Sequence, residues 1–186
     1  LSFSQVTSLN LTQNAQLKTL DVTHNRLTNL DLTENILLEE VYLGNPSFDT
    51  GPFNEFTTFD FSNNHLLKRV SCIALGLEII NLNPLANLEI FNGYINNFDE
   101  LDVSNNPNLR VLDVGFYNSS AFTSPSNFIT NLDLTANANL EIVRVENMRL
   151  ESLNVKNGNN EILSNLRASR NVNLACILVD DENAAM

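Results

Sequence analysis

The stretch Leu27-Thr-Asn-Leu-Asp-Leu-Thr-Glu-Asn-Ile-Leu-Leu-Glu-Glu-Val-Tyr-Leu43 decides the fold. Leu30 and Leu32 flank one polar residue, and Val41 and Leu43 flank another. That alternation is the period-2 signature of a strand with one buried face. In each case a leucine three residues earlier, Leu27 or Leu38, turns the corner into the core. The stretch is therefore two half-repeats in tandem. Half A reads L-x-x-L-[DN]-[LV]-[ST]-x-N and half B reads L-x-x-L-x-[LV]-x-x-N.

Working outward, half A recurs from Val6, Leu27, Phe56, Leu77, Phe98, Ile129 and Leu150, and half B from Leu17, Leu38, Leu67, Leu88, Leu109, Leu140 and Leu163. The step from A to B is 11 residues in the first six coils. A partial eighth A half follows as Leu174, Ile177 and Val179. Each coil offers about six inward apolar side chains, such as Val6, Leu9, Leu11, Leu17, Leu20 and Val22. No coil buries that set alone, so neighbours must stack. Asn14, Asn35, Asn64, Asn106 and Asn137 share the ninth A position, where an inward amide can bond turn backbone and link coils in a ladder. Helical periodicity is nearly absent. The expected fold is thus a mainly β repeat solenoid: a right-handed coil with a parallel sheet on its concave side, short strands or turns on the other, and few or no helices.

This alternation of L-x-x-L-D-L-x-x-N with L-x-x-L-x-L-x-x-N resembles the bacterial leucine-rich repeats with a nested 21-residue period, sometimes called IRREKO-type, over residues 6–179. The segments Leu153–Leu163 and Asn171–Asp181 look like the closing repeats of secreted bacterial surface proteins of that class. The resemblance implies extracellular or cell-surface binding and adhesion, with a variable strand face turned to the ligand. Residues 1–186 read as a single leucine-rich-repeat domain of about seven to eight coils. Because the first residue is Leu1 and falls partway through a coil, the chain reads as a mature or excised piece of something longer.

Composition sets limits. The net charge of −12 argues against nucleic acid, whose affinity rests on clustered Lys and Arg. No apolar run approaches the ~18 residues that read as a membrane span, so membrane insertion is not expected. Cys72 and Cys176 lie about five coils apart, or ~24 Å at ~4.8 Å per strand spacing. A disulfide needs Cα atoms within ~7 Å, so two free thiols are expected, with Cys72 inward.

The outward rows differ between halves. Half A carries Asn or Asp between its strand-core residues in every coil (Asn10, Asp31, Asp60, Asn81, Asp102, Asp133, Asn154), which marks a structural face. A calcium ladder is the alternative. Against it, Asn interrupts the Asp pairs, and stacked Asp can bond Ser, Thr or turn amides. In half B the equivalent row varies: Asp21, Tyr42, Ser71, Asn92, Asp113, Arg144, Arg167. Two positions earlier come Thr19, Glu40, Arg69, Ile90, Val111, Ile142 and Asn165, with three consecutive outward aliphatics. They either form a ligand patch or simply suit a β surface. A third row, Lys18, Glu39, Lys68, Glu89, Arg110, Glu141 and Ser164, alternates in sign, so stacked coils should pair charges and resist slipping.

Two insertions interrupt half B: Leu38 to Phe56 spans 18 residues and Leu109 to Ile129 spans 20, where 10 are expected. Both leave the same end of a B strand, three coils or ~14 Å apart. With Ile73 and Tyr94 between them, Phe48, Phe53, Phe116, Tyr117 and Phe122 can wall a groove, or else fold down over the sheet edge.

No catalytic motif is present, and His24 and His65 are expected at outward turn positions. The paired carboxylates of half A face solvent, with no pocket to split their pKa values. A non-enzymatic role without cofactor or metal follows. The candidate ligand residues are Tyr42, Phe48, Phe53, Ile73, Ile90, Asn92, Tyr94, Val111, Asp113, Phe116, Tyr117, Phe122 and Arg144. The partner is an extracellular protein or a polysaccharide, bound by a monomer; a structural spacer is the third reading. Open aromatic platforms at Tyr42, Tyr94, Phe116 and Tyr117 would favour sugar. An apolar patch beside Arg144 and Arg167 would favour protein, and closed loops with no patch a spacer.

Overall fold

A computed structural model describes residues 4–45, 53–116 and 127–181. Its strands are β1 (Thr19–Asp21), β2 (Glu40–Tyr42), β3 (Arg69–Ser71), β4 (Ile90–Asn92), β5 (Val111–Asp113), β6 (Asn131–Asp133), β7 (Ile142–Arg144), β8 (Ser152–Asn154), β9 (Asn165–Arg167) and β10 (Cys176–Leu178). The only helical element among the described residues is one 3-10 turn, Asn160–Ile162. Seven half-B strands form one parallel sheet in the order β1-β2-β3-β4-β5-β7-β9. Half-A strands form a second, three-stranded parallel sheet, β6-β8-β10. The molecule is a parallel-β solenoid, as the period-2 pattern requires.

The spacing of the apolar residues has a direct mechanical cause. In the first six coils two successive tight turns join the halves: in the second, Asn35 N–H donates to the Leu32 carbonyl at 3.0 Å, and Leu38 N–H to the Asn35 carbonyl at 3.1 Å. The same pair recurs at Leu11–Asn14–Leu17, Phe61–Asn64–Leu67, Leu82–Leu85–Leu88 and Val103–Asn106–Leu109. Each turn advances the chain three residues, which fixes the L-x-x-N-x-x-L spacing. The core lies between the sheets. Leu27, Leu38, Val41, Leu43, Leu67, Leu88, Leu109, Leu140 and Leu150 are buried, as is Phe91 where other coils carry a smaller residue. Burying one such side chain fully contributes roughly 1.5–3 kcal/mol. In the first and last coils Val6, Leu9, Leu17, Leu163, Leu174 and Ile177 are only partly buried, because each has a neighbouring coil on one side.

Two stacks of buried asparagine stitch the coils together. In half A, the Asn64 amide donates to the Leu32 and Asn35 carbonyls of the preceding coil at 3.1 and 3.0 Å. Asn35, Asn106 and Asn137 repeat this contact. Asn14, which begins the row, is exposed. A second stack lies at the turn from half B to half A, at Asn25, Asn54, Asn96, Asn127 and Asn171. There Asn96 donates to the Cys72 and Gly93 carbonyls and accepts the Leu75 and Leu77 amides, using four hydrogen bonds. Asn54 and Asn127, which follow the two insertions in the sequence, keep their places in this stack.

Both cysteines are free; Cys72 is buried, which pushes its thiol up, and Cys176 is exposed. One expectation fails. His24 is buried, at 2% exposure, and does not face outward. It sits at a left-handed turn, with φ 54°. Ala74, Ile95, Asn147 and Arg170 take the same left-handed turn at the matching place in their coils.

Candidate functional site

Strand pairing places the variable half-B rows side by side. Ile90 pairs with Val111 and Val111 with Ile142, so the three aliphatic residues run across β4, β5 and β7 in one line. Each is half-buried. Asn92, Asp113 and Arg144 form the parallel line beside them. Further along the sheet, Tyr42 pairs with Ser71 and its hydroxyl donates to the Glu40 carboxylate at 2.9 Å. Burial, with the hydrogen bond to Glu40 behind it, pushes the Tyr42 phenol up.

At the end of β5 the face becomes a hollow of about 250 Å³ lined by Tyr94, Asp113, Phe116, Arg144, Glu146 and Arg167. The Tyr94 and Phe116 rings stack, with centroids 5.9 Å apart and planes 14° from parallel. Phe116 is buried at 8% exposure. Arg144 Nη1 donates to Asp113 Oδ2 at 3.0 Å. Asp113 is buried, and the cost of charging it there raises its pKa; the Arg144 guanidinium opposes that shift. Burial also raises Tyr94. The hollow thus joins a packed aromatic pair, a compensated carboxylate and the Arg167 cation.

The stems of both insertions share one edge, as counted. β2 and β5 stand three strands apart, and the chain leaves after Gly44-Asn45 in one coil and Gly115-Phe116 in the other. The backbone there lies hard against the next coil. A Cβ on Gly44 would sit 1.9 Å from the Ile73 carbonyl oxygen, and one on Gly115 would sit 2.0 Å from the Glu146 nitrogen. Only glycine fits so close an approach, and the place of each at the opening of its insertion is the sequence signal for it. Ile73 is buried beneath this edge. Phe48, Tyr117 and Phe122 lie outside the described residues. Phe53 does not line the hollow of Tyr94 and Phe116; it borders a separate depression with Leu75, Gly76 and Ile79.

The other faces are occupied by structural contacts. Asp31 accepts the Thr33 amide at 3.0 Å and its hydroxyl at 2.6 Å, and Asp60, Asp102 and Asp133 accept the amide two residues on. These bonds hold Asp31, Asp60 and Asp102 below the usual carboxylate range. Asn10, Asn81 and Asn154 make the same bond in their coils. Among the described residues no group of three His, Cys, Asp or Glu is placed to hold a metal ion. The charge row pairs as its alternation predicts: Glu39 bridges Lys18 at 3.1 Å and Lys68 at 2.8 Å, and Arg110 pairs with Glu141 at 2.9 Å and Glu89 at 3.9 Å.

No family model matches this sequence, and comparison with curated proteins finds no match. Among solved structures, the chain is similar to the functional domain of InlJ from Listeria monocytogenes, at 25% identity and TM-score 0.51, covering 87% of this chain and 41% of that one. It is also similar to an internalin, InlF, from Listeria monocytogenes strain 4b F2365, at 17% identity and TM-score 0.67, covering 97% of this chain and 48% of that one. This chain therefore spans less than half the length of either structure. The likeness is one of fold: a parallel-β solenoid of the leucine-rich-repeat kind. InlJ is described by a cysteine ladder; here the buried stacks are of asparagine.

Proposed function

We propose that this chain is a non-enzymatic binding or adhesion module that presents the half-B face, from β4 to β7, to an extracellular protein. The observation that carries this reading is the line Ile90–Val111–Ile142 beside Arg144 and the Tyr94–Phe116 hollow. Aliphatic, aromatic and arginine side chains converge there, which is the composition of a protein-interface centre. The half-A rows, by contrast, repeat one polar contact in successive coils. Similarity to internalin structures supports the same reading, and the nested 21-residue class is the finer family assignment we attach to it. Among the described residues no helix is long and apolar enough to cross a membrane.

A polysaccharide ligand is the second reading. It asks for an aromatic platform open to solvent, whereas Phe116 packs against Tyr94 at 8% exposure. Protein is favoured on that ground. The test is a parallel screen of the chain against immobilised extracellular proteins and a glycan array, repeated with Ile90→Asp/Ile142→Asp. A protein hit lost in the double variant supports the proposal. Glycan hits unaffected by it would replace protein with sugar, and no hits on either surface would leave a spacer.

A further inference from the structure

A second hollow, of about 660 Å³, opens on the turn from half B to half A between the third and fourth coils. Three departures from the repeat create it. Ile79 stands in a row otherwise filled by Ser8, Asn29, Thr58, Glu100, Asn131 and Ser152, and it is 57% exposed. Gly76 stands where neighbouring coils carry Arg26, Glu55, Asn97, Phe128 and Arg149; a Cβ there would meet nothing nearer than the Asn97 amide at 3.9 Å. Phe53, where the first insertion rejoins the coil, is 45% exposed and borders the same space. Half-buried Leu75 completes the apolar lining, and Glu55 and Glu78 supply two exposed carboxylates. Among the described residues neither carboxylate forms an ion pair, and no basic side chain lines the hollow.

Apolar walls with two uncompensated acids select one chemistry: an apolar side chain next to a cation. We propose that this hollow docks a basic-apolar segment of a protein partner, with a guanidinium over Phe53 paired to Glu55 and Glu78 and an aliphatic residue against Ile79 and Leu75. The same turn already holds that kind of contact internally, since the Arg149 guanidinium lies 4.3 Å above the Phe128 ring. The net charge of −12 draws cationic segments toward the surface. The site is separate from the β4–β7 face and stands or falls independently of it.

The test is a ¹⁵N–¹H NMR titration of the whole chain with the blocked peptide acetyl-Gly-Leu-Arg-Leu-Gly-amide. The expected result is shift changes confined to Phe53, Leu75, Gly76, Ile79 and their neighbours, weakening as salt rises. Replacing the peptide's arginine with citrulline, or introducing Glu55→Gln/Glu78→Gln, should weaken binding about ten-fold or more. Ile79→Asn, which restores a side chain its row already uses, should do the same with an unchanged melting curve. If that variant unfolds, the Glu pair still decides the matter. Absence of binding, shifts confined to the β4–β7 face, equal binding of a peptide carrying Glu for Arg, or indifference to both sets of substitutions would each overturn the proposal. So would self-association through this hollow, seen as concentration-dependent sedimentation abolished by Ile79→Asn.

Discussion

At the residue scale, the two asparagine stacks have the same chemistry but unequal duties. Asn64 uses its amide to satisfy two carbonyls of the preceding coil. Leu85 occupies that row in the fourth coil, so leucine fits the shape. Each of those carbonyls still accepts a turn amide, so Asn64→Leu should cost only the two lost hydrogen bonds, about 1–3 kcal/mol in urea unfolding. Asn96 makes four hydrogen bonds, two donated and two accepted. Asn96→Leu should cost roughly twice as much as Asn64→Leu, since two buried amides lose their acceptor as well. Equal losses would mean that the half-B stack is no more than a spacer. A related expectation concerns Ile95, a β-branched residue held at φ 57°. That conformation strains a branched side chain by about 1–2 kcal/mol. Ile95→Asn should raise the melting temperature by relieving it; a lower one would show that its half-buried side chain contributes more by packing.

At the element scale, the insertion-bearing coils depend on their glycines. Gly44 and Gly115 let the departing strand end lie against the next coil, and backbone atoms stand where any Cβ would go. Gly44→Ala and Gly115→Ala should each cost at least ~3 kcal/mol, because the obstacle is main chain and cannot rotate away. Hydrogen exchange should show the lost protection beginning at the β2–β3 and β5–β7 pairings; a melt indistinguishable from wild type would refute the close packing. How much of this was legible in advance follows from what a pattern encodes. Strand-core alternation maps directly onto in and out, so the rows from Thr19 to Asn165 and from Asp21 to Arg167 could be read straight off the sequence and are the rows that pair. The edge from which the loops leave was legible by counting. The left-handed turn was not, because His24, Ala74, Ile95, Asn147 and Arg170 share no side-chain chemistry; backbone geometry alone makes them equivalent. The burial of His24 was equally hidden, because other residues at that turn range from half-buried to exposed. The stacking of Phe116 on Tyr94 depends on how one loop stem bends, which no repeat position states.

At the scale of the whole molecule, 22 acidic residues face 10 basic ones, so the response to acid depends on where the acids sit. Asp31, Asp60 and Asp102 are held below their ordinary value of 3.8 by the hydroxyl and amide two residues on. Glu39 is held below 4.5 by Lys68 and Lys18, and Glu141 by Arg110. A carboxylate depressed in the folded state adds stability above its unfolded pKa and loses it as pH falls through the folded one. All five therefore withdraw support as pH drops below about 4.5. Asp113 works in the opposite sense: burial raises its pKa above 3.8, so protonation relieves a strain that is present at neutral pH. Five groups against one decide the sign, and the melting temperature should fall between pH 5 and about pH 3. The Asp contribution can be isolated, because Asn10, Asn81 and Asn154 already accept the same i+2 amide in their own coils. Asp31→Asn/Asp60→Asn/Asp102→Asn should fold normally at pH 7 and show a flatter acid limb. What remains of the slope should shrink in high salt, which screens the exposed Glu39 and Glu141 pairs. If the triple variant retains the full acid sensitivity of the parent, the polar row of half A is a passive surface and the acid response lies in the charge ladder alone.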